Sequence, residues 1–149
     1  MPANPIPQGH HTVTPYLTVR GAGKVIDFLK EAFDAKAMAE PFKGPDGKIV
    51  HAEIKIGDSP VMLAEESEMA KAMPSALYVY VPDVDKVYRQ AIKAGGKSTM
   101  EPKDMFYGDR SGSVTDPSGN HWTIATHKED VPPQEMAKRA EAFFKQQKH

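Results

Sequence analysis

The chain has 149 residues, 40% hydrophobic and 26% charged, a composition that fits one globular domain and is too apolar for a disordered chain. A formal net charge of -1 leaves no surplus of Lys or Arg to displace counterions from phosphates, which argues against nucleic acid as a partner. No cysteine is present, so disulfides, thiolate metal sites and cysteine nucleophiles are excluded.

Residues 1–10 are polar and carry Pro2, Pro5 and Pro7, which reads as a flexible tail. They lack the apolar run of a signal peptide, and no later stretch approaches transmembrane length. The expectation is a cytoplasmic chain with no membrane partner. Next, Thr14 to Val19 reads as a strand, and Val25, Ile26, Leu29 and Phe33 fall at the three- and four-residue spacings of a helix. A short apolar stretch near Ala37 to Phe42 leads to Gly44-Pro45-Asp46-Gly47, a hairpin signal. Strands over Ile49 to Ile56 and Pro60 to Glu65 meet at Gly57-Asp58.

The same grammar then repeats. Ala76 to Val81 is a strand, and Asp83 can cap a helix running to about Ala94, ended by Gly95-Gly96. A short strand near Lys97 to Met100, a loop from Pro102 to Gly108, and strands over Arg110 to Thr115 and Asn120 to His127 complete it. A shift of 62 positions lays Thr14 on Ala76, Gly57 on Gly119 and Val61 on Thr123. The fold class is therefore α+β: tandem βαβββ repeats, about residues 11–68 and 74–128, forming a curved sheet cup with helices on its outer face. Residues 132–149 form a C-terminal helical extension with an apolar stripe of Met136, Ala140, Phe143 and Phe144.

Strand alternation separates two faces. Leu17, Val19, Ala52, Ile54, Leu77, Val79, Trp122 and Ile124 make one aliphatic and aromatic set suited to packing on the helices. Tyr16, His51, Glu53, Tyr78, Tyr80, Thr123 and His127 make the other. A solvated face favours Lys, Glu and Ser; tyrosines mixed with a few polar groups suit a concave ligand site. A sheet face covered by a partner subunit would look the same. Phe106, Tyr107 and Arg110 in the late loop offer stacking surface and a bidentate grip on an anion, and Asp109 could instead pair with Arg110 or Lys103.

The stretches "TPYLTVRGAGKVIDFLKEAF" and "FYGDRSGSVTDPSGNHWTIATHKEDV" resemble the vicinal-oxygen-chelate superfamily, and within it the PhnB-like glyoxalase/bleomycin-resistance branch, over roughly residues 10 to 131, with the domain itself at 11–131. The resemblance implies a divalent metal in the metal-dependent members, held by His, Glu or Gln on the first and last strands of each repeat. Those positions fall here at Thr14, Ala76, Val61 (or Met62 with a one-residue slip) and Thr123. None is an imidazole or carboxylate, so no metal and no cofactor are expected at the usual site. His51 and Glu53, two apart on one strand, could bind together, whereas His121 and His127 lie about 20 Å apart along a strand.

The sequence therefore predicts a small-molecule binder, a homodimer by the resemblance, with Tyr16, His51, Glu53, Tyr78, Tyr80, Phe106, Tyr107, Arg110, Thr123 and His127 as ligand contacts. The alternative is a lyase, isomerase or dioxygenase using a displaced metal, or His51 and Glu53 as acid and base.

Overall fold

A computed structural model describes residues 2–147. Nine strands and three helices occur among them: β1 (Tyr16–Val19), α1 (Ala22–Phe33), β2 (Lys36–Ala37), β3 (Phe42–Lys43), β4 (Ile49–Ile56), β5 (Ser59–Glu65), β6 (Ala76–Tyr80), α2 (Val84–Lys93), β7 (Lys97–Asp104), β8 (Asp109–Thr115), β9 (His121–His127) and α3 (Pro133–Gln147). The strands form two open sheets. One has the order β1-β5-β4-β2, with β3 also on β4, and the other β6-β9-β8-β7. In each, the first strand of the repeat runs parallel to the last, and the rest is antiparallel. This is the mixed α+β architecture of two βαβββ repeats.

The helices begin and end for different local reasons. Asp83 caps α2 in the ordinary way, its carboxylate accepting from the Lys86 N–H at 3.2 Å. α1 starts at Gly21, which has no capping side chain and sits at φ 76. Its first orphan N–H groups, on Gly21 and Ala22, instead donate at 2.9 and 3.0 Å to the Glu65 carboxylate at the end of β5. A residue remote in sequence thereby performs the cap and pins the helix to its own sheet.

Each helix lays its apolar stripe on one sheet, α1 on β4 and β5 and α2 on β8 and β9, and the helices also meet each other. The two aliphatic faces therefore share one core. Leu17, Val19, Val25, Leu29, Ile54, Leu63, Val84, Val114, Trp122 and Ile124 are all essentially inaccessible, and the Phe33 ring lies 5.3 Å from that of Trp122. Burying side chains of this size is worth about 1.5–3 kcal/mol each, which fixes the strand register because a one-residue slip would expose the whole set.

The apolar stretch from Ala37 to Phe42 spans two short strands, β2 and β3, set antiparallel on β4 with a register shift at Phe42/Lys43. One sequence expectation changes. β7 does not stop at Met100; it runs to Asp104 through register shifts at Ser98/Met100 and Met100/Lys103, and Pro102, which has no N–H, sits within the second irregularity. The His10 side chain is 7% exposed, and its Nε2 lies 3.8 Å from Glu53 Oε2.

The aspartate turn before β9 is the strongest local device. Asp116, 6% exposed, accepts from the Ser118 and Asn120 N–H groups, from Asn120 Nδ2 and from Trp122 Nε1, all at 2.9–3.0 Å. Ser118 in turn accepts from the Arg20 N–H at 3.0 Å, tying the second repeat to the first. Among the described residues no helix is long and apolar enough to cross a membrane.

Candidate functional site

The faces turned away from the core carry the polar aromatic set. On the first sheet Tyr16 is 53% exposed, and its ring lies 5.8 Å from that of His51. His51 Nε2 is 3.5 Å from Glu53 Oε1, at the limit of a hydrogen bond. This half of the site is loosely connected.

The second sheet is different. Its register sets Tyr80 beside Ala125, Tyr78 beside Thr123, and Asp109 beside His127. Asp109 accepts from the Tyr78 hydroxyl at 2.6 Å and the Tyr80 hydroxyl at 3.0 Å, both on Oδ2, while its Oδ1 lies 2.8 Å from His127 Nδ1. His127 Nε2 is 2.7 Å from Asp130, which is fully exposed. Burial works against the Asp109 charge, but the hydrogen bonds from Tyr78, His127 and Tyr80 outweigh it and hold the carboxyl below its usual range. The hydrogen bond to Asp109, then that to Asp130, raises His127. Desolvation first, then the bond to Asp109, raises Tyr78; that bond is the main cause for Tyr80. Ser113 and Thr123 share a hydrogen bond at 3.1 Å on the same face.

Sequence reasoning assigned Asp109 no ligand contact and offered only Arg110 or Lys103 as its partner, because a carboxylate beside an arginine reads as an ion pair. Alternation along β8 sends the neighbours to opposite faces. Arg110 lies on the helix side, where Nε and Nη2 donate to the Asp85 carboxylate of α2 at 2.9 and 3.0 Å. The guanidinium expected to grip a ligand is thus held by Asp85 on that side, with Asp104 3.4 Å from Nη1. The Phe106 ring meets that of Tyr107 edge-on at 5.3 Å and lies tilted 5.0 Å from that of Phe143 of α3. Arg139 fixes this corner, donating to the Phe106 carbonyl at 3.2 Å and to Glu129 at 2.6 Å. Gly108 is required there: its φ is 107 and a Cβ would collide with the Glu129 carbonyl oxygen.

The candidate residues form two groups rather than one. Contacts join Tyr16 to His51 and Glu53 on the first sheet, and Tyr78 and Tyr80 to Asp109 and His127 on the second. No ladder joins β1 to β6, the open edges of the two sheets. A cavity of about 970 Å³ lies between these edges, lined by Tyr16, Tyr78 and Tyr80 with Phe33, Val87 and Trp122. Its size falls within the range of small-molecule sites.

The sequence profile of the Glyoxalase/Bleomycin resistance protein/Dioxygenase superfamily matches residues 9–124. The chain belongs to this superfamily. An uncharacterised protein of Mycobacterium bovis is 34% identical over 130 residues, covering 80% of this chain and 85% of that one. An uncharacterised protein of Mycobacterium tuberculosis is also 34% identical, covering 80% and 76%. Among solved structures, TioX from Micromonospora sp. ML1 aligns with a TM-score of 0.63 at 24% identity, covering 79% of this chain and 98% of that one. A glyoxalase/bleomycin resistance protein/dioxygenase family enzyme from Burkholderia phytofirmans PsJN aligns at 0.62 and 18% identity, over 76% and 96%. These structural likenesses concern the fold.

Register decides between the two first-repeat positions, Val61 and Met62, that the sequence leaves open. Tyr16 pairs with Met62 as Tyr78 pairs with Thr123, so Met62, not Val61, is the counterpart of Thr123. The shift of 62 holds between β1 and β6 and slips by one between β5 and β9. Val61 faces the core at 3% exposure. A thioether suits soft metals, and a neutral Thr hydroxyl is a poor ligand for Zn²⁺ or Fe²⁺. Among the described residues no three His, Asp or Glu side chains are grouped as a metal site requires.

Proposed function

We propose that this superfamily member is a small-molecule binding protein of the PhnB-like glyoxalase/bleomycin-resistance type, working without the usual metal, whose cup is closed by a second copy of the chain. The observation that carries this reading is the uncovered polar face of each sheet. Tyr16, Tyr78 and Tyr80 are each about half exposed beside the unpaired edges of β1 and β6. Aromatic area with fixed polar tips favours an organic ligand, and open edge strands favour a partner that covers them. A homodimer with the first sheet of one copy facing the second sheet of the other would bring both residue groups around one ligand. Native mass spectrometry of the untagged protein tests this: a species of twice 16.4 kDa retaining an organic compound is expected. A monomer that retains nothing and binds no small molecule overturns it.

A second reading, acid–base catalysis by His51 and Glu53, rests on one arrangement. The Glu53 carboxylate lies between His51 Nε2 at 3.5 Å and His10 Nε2 at 3.8 Å, partly shielded from water. Stoichiometric transition metal in protein purified without a histidine tag, or turnover lost in Glu53→Gln, would favour this enzyme reading over the binder.

A further inference from the structure

Asp109 is a nearly inaccessible carboxylate with no Lys or Arg partner among the described residues. Its hydrogen-bonding neighbours are two phenols and one imidazole. An ionised carboxylate only accepts, so both tyrosine protons must point at it. Tyr78 and Tyr80 stand on β6, Asp109 on β8, and β9 lies between, so both side chains cross β9 to reach it. Small Ala125, directly beside Tyr80 on β9, leaves room for this.

Two residues along, on the same face of β8, Ser111 is 1% exposed and its Oγ has no hydrogen-bond partner among the described residues. A buried hydroxyl without a partner is rare in a folded protein, because its lost hydration is not recovered.

We propose that Asp109 and Ser111 form a subsite for a primary ammonium group of the bound small molecule, with the Tyr78 and Tyr80 hydroxyls occupying its place on Asp109 when the site is free. The assignment rests on the small-molecule reading above and names the chemistry of the ligand. An ammonium brings three donors, one for Asp109, one for the orphaned Ser111 oxygen and one for a displaced tyrosine. The half-exposed phenols can turn to water when displaced. Their rings, 5.2 Å apart and tilted by 53°, offer faces that attract a cation. An anionic group would meet Asp109 and Asp130, with His127 already shared between them.

The test is binding of benzylammonium, benzyl alcohol and benzoate to the full chain at neutral pH, followed by NMR chemical-shift titration. Benzylammonium should bind about tenfold or more tighter than either isostere, the scale of a charge-assisted hydrogen bond. Ser111→Ala and Asp109→Asn should each remove most of that preference, with benzyl alcohol unaffected. Tyr78→Phe removes one competing donor while keeping the ring, and should hold or tighten ammonium binding by about two- to threefold; it also serves if Asp109→Asn fails to fold. Equal affinity for the three probes, or a Ser111→Ala variant with unchanged preference, overturns the subsite and leaves the small-molecule reading standing. No binding of any probe overturns the subsite, and the absence of a retained compound as well overturns both.

Discussion

The two repeats use the same architecture with very different stakes on their aspartates. The turn between β4 and β5 holds Asp58, an exposed residue whose carboxylate accepts from Ser59. The corresponding turn between β8 and β9 holds Asp116, buried and accepting from two backbone N–H groups, an amide and the indole of the core tryptophan. The polar faces differ in the same way. His51 and Glu53 barely touch, while Asp109 gathers two phenols and an imidazole. The repeats are thus alike in chain path and unlike in where buried charge is spent: the second repeat carries both the structural lock and the tightly wired half of the site.

The sharpest way to break this contrast is at the turns. Asp116→Ala strands several buried donors, including the Trp122 indole, and should destabilise the chain by about 3–5 kcal/mol in urea unfolding. Asp58→Ala should stay within about 0.5 kcal/mol. Similar losses at both turns would erase the distinction.

A smaller effect is expected at the sheet faces. Tyr78→Phe removes one of three donors to Asp109 and should cost about 1 kcal/mol, whereas Tyr16→Phe should cost nothing measurable. Near-ultraviolet circular dichroism should change only in the first variant.

The Asp109–His127 pair sharpens the comparison through pH. Asp109 is depressed on folding, so its contribution is present above the ordinary carboxylate value and lost as pH falls through the lowered one. His127 is raised, so its contribution is present below the ordinary histidine value and lost as pH rises through the raised one. Urea midpoints measured from about pH 3 to about pH 9 should show a plateau between these limits. His127→Asn should flatten its alkaline side. The smallest effect belongs to Arg110→Lys, which keeps the charge, loses the two-point grip on Asp85, and should lower the urea midpoint only slightly without altering ligand binding.

Much of the fold was legible from pattern alone. Leu17 and Val19, Ile54 and Ile56, Leu77 and Val79, and Trp122 and Ile124 alternate with polar partners, and that period of two separates core from outer face without any tertiary knowledge. Asp83 announces α2, and the Gly-containing turns announce the hairpins. The extension of β7 was hidden because Pro102 and two irregularities interrupt its period. Glu65 as the α1 cap was hidden because nothing local links it to Gly21. At the site, the tyrosines stood out because phenols are unusual on a solvated strand face. Asp109 did not, because a carboxylate next to Arg110 looks neutralised until the pleat turns them apart.

The sequence by itself determined two βαβββ repeats and, on each sheet, one aliphatic face and one phenol-bearing face. These follow from local periodicity, which the backbone enforces residue by residue. Only the tertiary structure decided that Met62 rather than Val61 answers Thr123, that Asp109 rather than Arg110 turns to the outer face, and that the two polar faces form separate groups in one chain. Such facts depend on which strands become neighbours, and that is settled by the shared burial of α1, α2 and Trp122, a long-range event that no short window of sequence contains.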